Sequence, residues 1–466
     1  MATPRGSTAY LDGLRGLAAV VVFIQHYAGD FTNNEHDHGF GQTGHYYFVS
    51  LPFIRFFWNG GNAAVVLFFI LSGYVLSIGH LKKLRDGRTV GRSLLSAVVR
   101  RPVRLYGPPL VVTLVYALLL HVPGPLVLPL PWMQPQEGGL LAEILYFAKT
   151  SIYYFNPFRE HSSHEYWYPY NVVMWTIPIE LKGSMLVFAV ADVASRLSLD
   201  TSYRSVLVAA STIFFTSAAM LLLCFKWSMS AFLFGIFLAF IDVWELDENI
   251  LARFSAQTRT KTLYALFFTG WYLITQPARG GDMKFSSETP GWMILTSLLP
   301  PGYDDDNYYR FWQVWGSLLS VYALLRLQTL QRLFTTKTLL FFGEVSFMVY
   351  LLHLPMFRIL GDRLSALLGG SVSVELQGTF WERSWAVLNI GPLGLSLRFL
   401  ICVAIELPLT LLASKYATEY LDKPMTRLSK RLAAKLGLET QSLLQNPDFG
   451  DSVALPMIER NWTFSS

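Results

Sequence analysis

The chain has 466 residues, of which 52% are hydrophobic and 15% charged. That is too little charge to cover a soluble domain of this size, so an ordinary globular protein is excluded. Its formal net charge of +5 comes from basic loops between apolar runs and gives no ground for a nucleic-acid partner. The two cysteines, Cys224 and Cys402, both lie in apolar runs, which argues against a disulfide framework or a zinc knuckle.

Apolar stretches of about 17 to 25 residues, the length that crosses a bilayer, predict ten spans in chain order. They fall near 11–30, 62–79, 104–122, 171–191, 206–225, 228–244, 260–276, 311–327, 338–358 and 394–416. No basic leader with a cleavage site precedes the first, which is read as its own insertion signal. A further stretch, 140–155, is short and carries Glu143 and Lys149. The basic residues from Lys82 to Arg104, after the second span, mark the cytosolic side by the positive-inside rule. If 140–155 does not cross, the clusters Arg253 to Lys261, Arg326 to Lys337 and Lys423 to Arg431 fall on that side too; if it crosses, they become external. The prediction is an all-α polytopic transmembrane helix bundle of about ten spans with both termini cytosolic. The 140–155 stretch is then a re-entrant or interfacial segment inside an external loop.

A transmembrane domain over 1–420 and a polar cytosolic tail over 421–466 follow from this reading. The external loops near 31–61, 122–136, 277–310 and 361–393 are long enough to roof a cavity. The run Tyr166-Trp-Tyr-Pro-Tyr170 suits an aromatic belt at the membrane interface. No internal repeat is visible, which weighs against the inverted-repeat plan of many secondary transporters.

The first span carries the clearest site signal. Arg15 and His26 are eleven residues apart, which returns them to within about 20° of one azimuth and separates them by about 16 Å along the helix. An arginine and a histidine within a hydrocarbon-length helix are costly unless they line a polar cavity.

Five segments, taken together, resemble the multi-pass membrane acyltransferase-3 family. They are Leu11-Asp-Gly-Leu-Arg15 followed by His26; Leu67-Phe-Phe-Ile-Leu-Ser72-Gly-Tyr74; Arg101-Pro-Val-Arg104; Trp175-Thr-Ile-Pro-Ile-Glu180; and Gly343-Glu-Val-Ser346-Phe-Met-Val-Tyr350-Leu-Leu-His353. They stand in family order over about residues 10 to 420, and Asn59-Gly-Gly-Asn62 ahead of the second is similar to the fungal branch. The resemblance implies an enzyme that moves an acyl group, often acetyl, from acyl-CoA to a hydroxyl. No permanently bound cofactor is implied, acyl-CoA being a co-substrate. A small hydroxylated metabolite, in secondary-metabolite tailoring, is the favoured acceptor. A cell-surface glycan or lipid is the alternative within the enzyme class, and a proton-coupled transporter the alternative outside it. The expected partners are the donor, the acceptor and the lipid bilayer of the endoplasmic reticulum or plasma membrane, with oligomeric state left open.

Acyl transfer to an alcohol needs a base for the hydroxyl proton, and a neutral imidazole suits that work at physiological pH. His26 is the expected general base. Glu180, a carboxylate within a span, needs a partner such as His26, Arg15 or a substrate hydroxyl. His353, at a similar depth, suits an orienting role, so His26, Glu180 and His353 form the expected catalytic set. Asp30 reads better as a solvated helix-end residue than as the orienter of His26, and Ser72 beside Gly73 suits helix packing rather than nucleophilic attack. Arg15, Arg101 and Arg104, near the cytosolic end, suit the phosphates of the donor. His36-Asp-His38 with His45 has short spacing and no evident fourth ligand, so no metal site is expected.

Overall fold

The computed structural model describes residues 8–32, 35–122, 126–129, 135–159, 168–196, 202–391 and 395–438. Twelve helices among them are longer than ten residues, and no strand accompanies them. The first five are α1 (Ala9–Thr32), α2 (Gly61–Arg85), α3 (Gly91–Leu119), α4 (Gly139–Tyr154) and α5 (Thr176–Arg196). Then come α6 (Tyr203–Leu222), α7 (Trp227–Trp244), α8 (Ala256–Ile274) and α9 (Tyr308–Leu324). The last three are α10 (Lys337–Met356), α11 (Leu397–Ala417) and α12 (Lys423–Lys435).

Each of the ten expected spans coincides with a helix. Seven are long and apolar enough to cross a membrane, namely α2, α3, α5, α6, α7, α10 and α11. The other three are α1, interrupted by Asp12, Arg15, Gln25 and His26, α8, which opens with Arg259 and Lys261, and α9, of 17 residues. Three helices overrun their predicted ends. α3 begins at Gly91 rather than near 104, α10 continues through a π-turn at Phe357–Gly361 to Leu367, and α11 continues through another at Thr418–Asp422 into α12. The first part of the expected tail is therefore helix packed against α3, and 439–466 lies outside the described residues.

The short 140–155 stretch is α4, whose 16 residues rise about 24 Å against a hydrocarbon core of about 30 Å. Glu143 meets His121 beyond the end of α3 at 2.9 Å. Phe155, after α4, packs against Tyr106 of α3, fifteen residues before His121, with ring centroids 5.5 Å apart. The chain then returns, with Tyr168 bonded to Ser151 at 2.7 Å and Tyr170 donating to Glu143 at 2.5 Å. This is the path of a re-entrant segment. It corrects the aromatic-belt reading: Tyr168 and Tyr170 are fully buried and staple the hairpin, while Tyr166 and Trp167 lie outside the described residues.

Close helix crossings use glycine where a side chain would not fit, the packing device available in lipid. A Cβ on Gly73 of α2 would overlap the Phe232 carbonyl of α7, which places Gly73, rather than Ser72, at that contact. A Cβ on Gly16 of α1 would overlap the backbone nitrogen of Gly343 on α10. Ten residues beyond that touch point on each helix stand His26 and His353. Because both contacts occur in the same order, α1 and α10 run parallel.

Candidate active site

The two histidines face each other with ring centroids 5.3 Å apart and planes inclined by 32°. His353 is fully buried, and its Nδ1 lies 3.2 Å from the Val349 carbonyl. A carbonyl only accepts, so Nδ1 carries the proton and Nε2 is left as a bare acceptor. Among the described residues no hydrogen-bond partner satisfies that Nε2. Phe357 and Tyr350 flank the ring at 5.7 and 6.0 Å.

His26 lines a cavity of about 260 Å³ with Gln25 of its own helix, His36 and Asp37 of the following loop, Asn62 of α2, and Arg279 after α8. The loop is held from below. Buried Arg55 donates to the carbonyls of Asp37 and His38 at 3.0 and 3.1 Å, and Asn59 donates to the Asp37 carboxylate at 2.8 Å. Burial, then the Arg55 and Arg279 guanidinium groups, push the His36 imidazole from its ordinary 6.5 down to about 4, so it is neutral at physiological pH. His38 and His45 stack on each other at 3.8 Å.

Asn62 is fixed with particular care. Arg310 of α9 donates to its backbone carbonyl at 2.7 Å and to its side-chain Oδ1 at 3.0 Å. With Oδ1 engaged, the Nδ2 donors of the amide remain for the cavity. The Arg310 guanidinium is buried over the faces of Trp227, Tyr309 and Trp175 at 4.4, 4.9 and 5.6 Å. Asn62 also sits in the first turn of α2, whose Gly61 N–H donates to Gln25 at 2.5 Å. The positive end of that helix therefore lies at the cavity.

Below lies a second group. Arg101 forms an ion pair with Glu180, and its Nε donates to Ser184 at 2.9 Å. Arg15 and Arg104 are its electrostatic neighbours, and Asp422 is a neighbour of both. Arg15 also faces Asp12 at 3.7 Å.

The six expected site residues are thus divided in two. His26 and His353 come together, while Glu180, expected beside them, is engaged by Arg101 and joins the arginine group. Arg101 and Arg104 lie ten and thirteen residues inside α3 rather than at a cytosolic mouth, because that helix starts earlier than its apolar part. None of the three arginines lines the cavity at His26. The Asp30 side chain lies outside the described ones. Asn62 and Tyr350 stand within the motifs quoted above with no role that the sequence assigns, and Arg310 falls one position ahead of the span predicted at 311–327.

A polytopic helical membrane protein with a polar cavity between its helices and a loop is the class that this architecture defines. The chain belongs to the acyltransferase-3 family, whose model, described as an acyltransferase domain, matches residues 8–407. It is similar to the O-acetyltransferase PaAT-1 of Phomopsis amygdali, with 28% identity over 400 residues, covering 78% of this chain and 76% of that protein. No solved structure matches.

Proposed function

We propose that the chain is an O-acetyltransferase that moves acetyl from acetyl-CoA to a hydroxyl of a small metabolite. The observation that carries this reading is one cavity lined by His26 and the fixed Asn62 amide, with the His353 ring packed against that of His26. His26 takes the hydroxyl proton as the alcohol oxygen bonds to the thioester carbonyl carbon. The negative charge that then forms on the carbonyl oxygen is met by the Asn62 Nδ2 donors, supported by the α2 N-terminus. Collapse breaks the carbon–sulfur bond, and the proton held by His26 passes to the leaving thiolate. His353, with Nε2 bare and its ring fixed, is a positioning residue for His26. Arg15, Arg101 and Arg104 suit the donor's phosphates, with Glu180 orienting Arg101.

A cavity of about 260 Å³ suits a small acceptor rather than a polymer. The fungal relative is named an O-acetyltransferase, which supports acetyl as the group transferred. The test is purified protein with labelled acetyl-CoA and a panel of hydroxylated acceptors. An ester product lost in His26→Ala is expected; vesicle uptake without ester formation overturns the reading.

A further inference from the structure

Along α11 and its extension every fourth residue is polar: Glu406, Thr410, Ser414, Thr418 and Asp422. Such a row runs obliquely along a helix at about 26° to its axis. Glu406, Thr410 and Ser414 have no exposed surface, whereas Ile405, Leu409, Leu412 and Tyr416 of the same helix are exposed. The helix is therefore apolar outward and polar inward.

Among the described residues those inward groups are unsatisfied: both Glu406 carboxyl oxygens and the hydroxyls of Thr410 and Ser414 have no hydrogen-bond partner there. A helical serine or threonine ordinarily falls back on the carbonyl four residues earlier, as Thr418 does to Ser414 at 2.8 Å. Three successive turns of buried, unpaired polar side chains inside a membrane bundle call for a polar occupant.

The ends of the row identify it. Cys402 packs with Tyr27 and Phe357, and Leu411 packs against Ala19, Val345 and Val349, so α11 runs antiparallel to α1 and α10. Glu406, between them, stands at the depth of His26 and His353. Asp422, at the other end, neighbours Arg15 and Arg104. The row thus links the guanidinium group to the level of the imidazoles.

We propose that Glu406, Thr410 and Ser414 form the wall along which the amide-bearing arm of the acyl-CoA donor lies; this rests on the function proposed above. The arm carries two secondary amides, each with one donor and one acceptor, and the three side chains offer both kinds of group. Ser414 and Glu406 are separated by about 12 Å along the helix, within the roughly 16 Å between Arg15 and His26.

Thr410→Val and Ser414→Ala remove one hydroxyl each with little change of volume. Each is expected to raise KM for acetyl-CoA about five- to tenfold while leaving inhibition by 3′,5′-ADP, which lacks the arm, within twofold. An unchanged KM, or a parallel rise in both constants, overturns the proposal. As a second measurement, Ser414→Cys in the full chain is treated with a charged methanethiosulfonate and read at that position by mass spectrometry. Modification blocked by CoA but not by 3′,5′-ADP is expected. A thiol that is never modified marks a dry wall, and one that CoA fails to protect marks a water column; either result overturns the proposal. Ester formation by the unaltered protein in the same membranes separates the outcomes. If it is absent, the proposed function fails; if it is present with the results above reversed, only the donor track fails.

Discussion

His26 and His353 face each other at 5.3 Å because Gly16 and Gly343 let α1 and α10 touch ten residues earlier on each helix. The parallel run carries that register about 15 Å upward without intervening adjustment. The imidazole pair is thus set by two residues with no side chain, well away from the chemistry.

Gly16→Leu is therefore expected to abolish transfer. Its side chain must displace the Gly343 backbone, an overpacking cost of about 1–3 kcal/mol, and the shift is passed to the ring pair. Thermal unfolding and turnover of the same preparation check this; wild-type turnover would contradict it.

Asn62→Ala should lower kcat by about 10²- to 10³-fold with KM little changed, since the amide acts on charge that exists only in the transition state. Arg310→Lys, which cannot hold both Asn62 oxygens in the same fork geometry, should fall between that variant and wild type. Steady-state kinetics settle the order.

Replacing His353 by alanine should cost less than replacing His26, because the first loses an orienting partner and the second the base itself. A loss of about 10²- to 10⁴-fold is expected for His26→Ala. Equal losses from the two variants would indicate shared base chemistry.

Arg101→Ala leaves the largely but not fully buried Glu180 without its partner and is expected to destabilise the bundle by up to about 3 kcal/mol. Adding Glu180→Leu should recover most of that stability but none of the donor affinity. Thermal unfolding with and without CoA distinguishes the two effects.

The loop over the cavity should loosen in mild acid. His36 binds its proton at about 4 when the loop is closed and near 6.5 when it is open. The open form therefore takes up more protons between these values, and closure weakens as pH falls from 6.5 toward 4. The loss approaches roughly 3 kcal/mol at the lower limit. Hydrogen exchange of residues 36–45 across this range should show the slope, and His36→Gln should flatten it.

The helices at all ten predicted spans were legible in the sequence, seven of them long and apolar enough to cross a membrane, since an apolar run of that length has few other uses. The pairing of His26 with His353 was foreshadowed by similar depth, and its register device lay in Gly16 and Gly343, which composition alone does not distinguish from packing glycines. Glu180 was read toward the histidines because apolarity placed Arg101 outside its helix; the polar first turns of α3 hid where that helix begins. Arg310 and the four-residue row on α11 were open to inspection. Both stood at the edge of, or inside, segments scored for hydrophobic length, where single polar residues are averaged away.

The stapled hairpin around Glu143 has a consequence for the whole topology. Seven helices, α2, α3 and α5 to α9, separate α1 from α10. An odd number of traversals between them is what two same-direction helices require, and one more would invert every element from α5 onward. By returning to the end it entered, α4 preserves this parity, so reporters fused after Arg85 and after Phe334 should register the same side of the membrane.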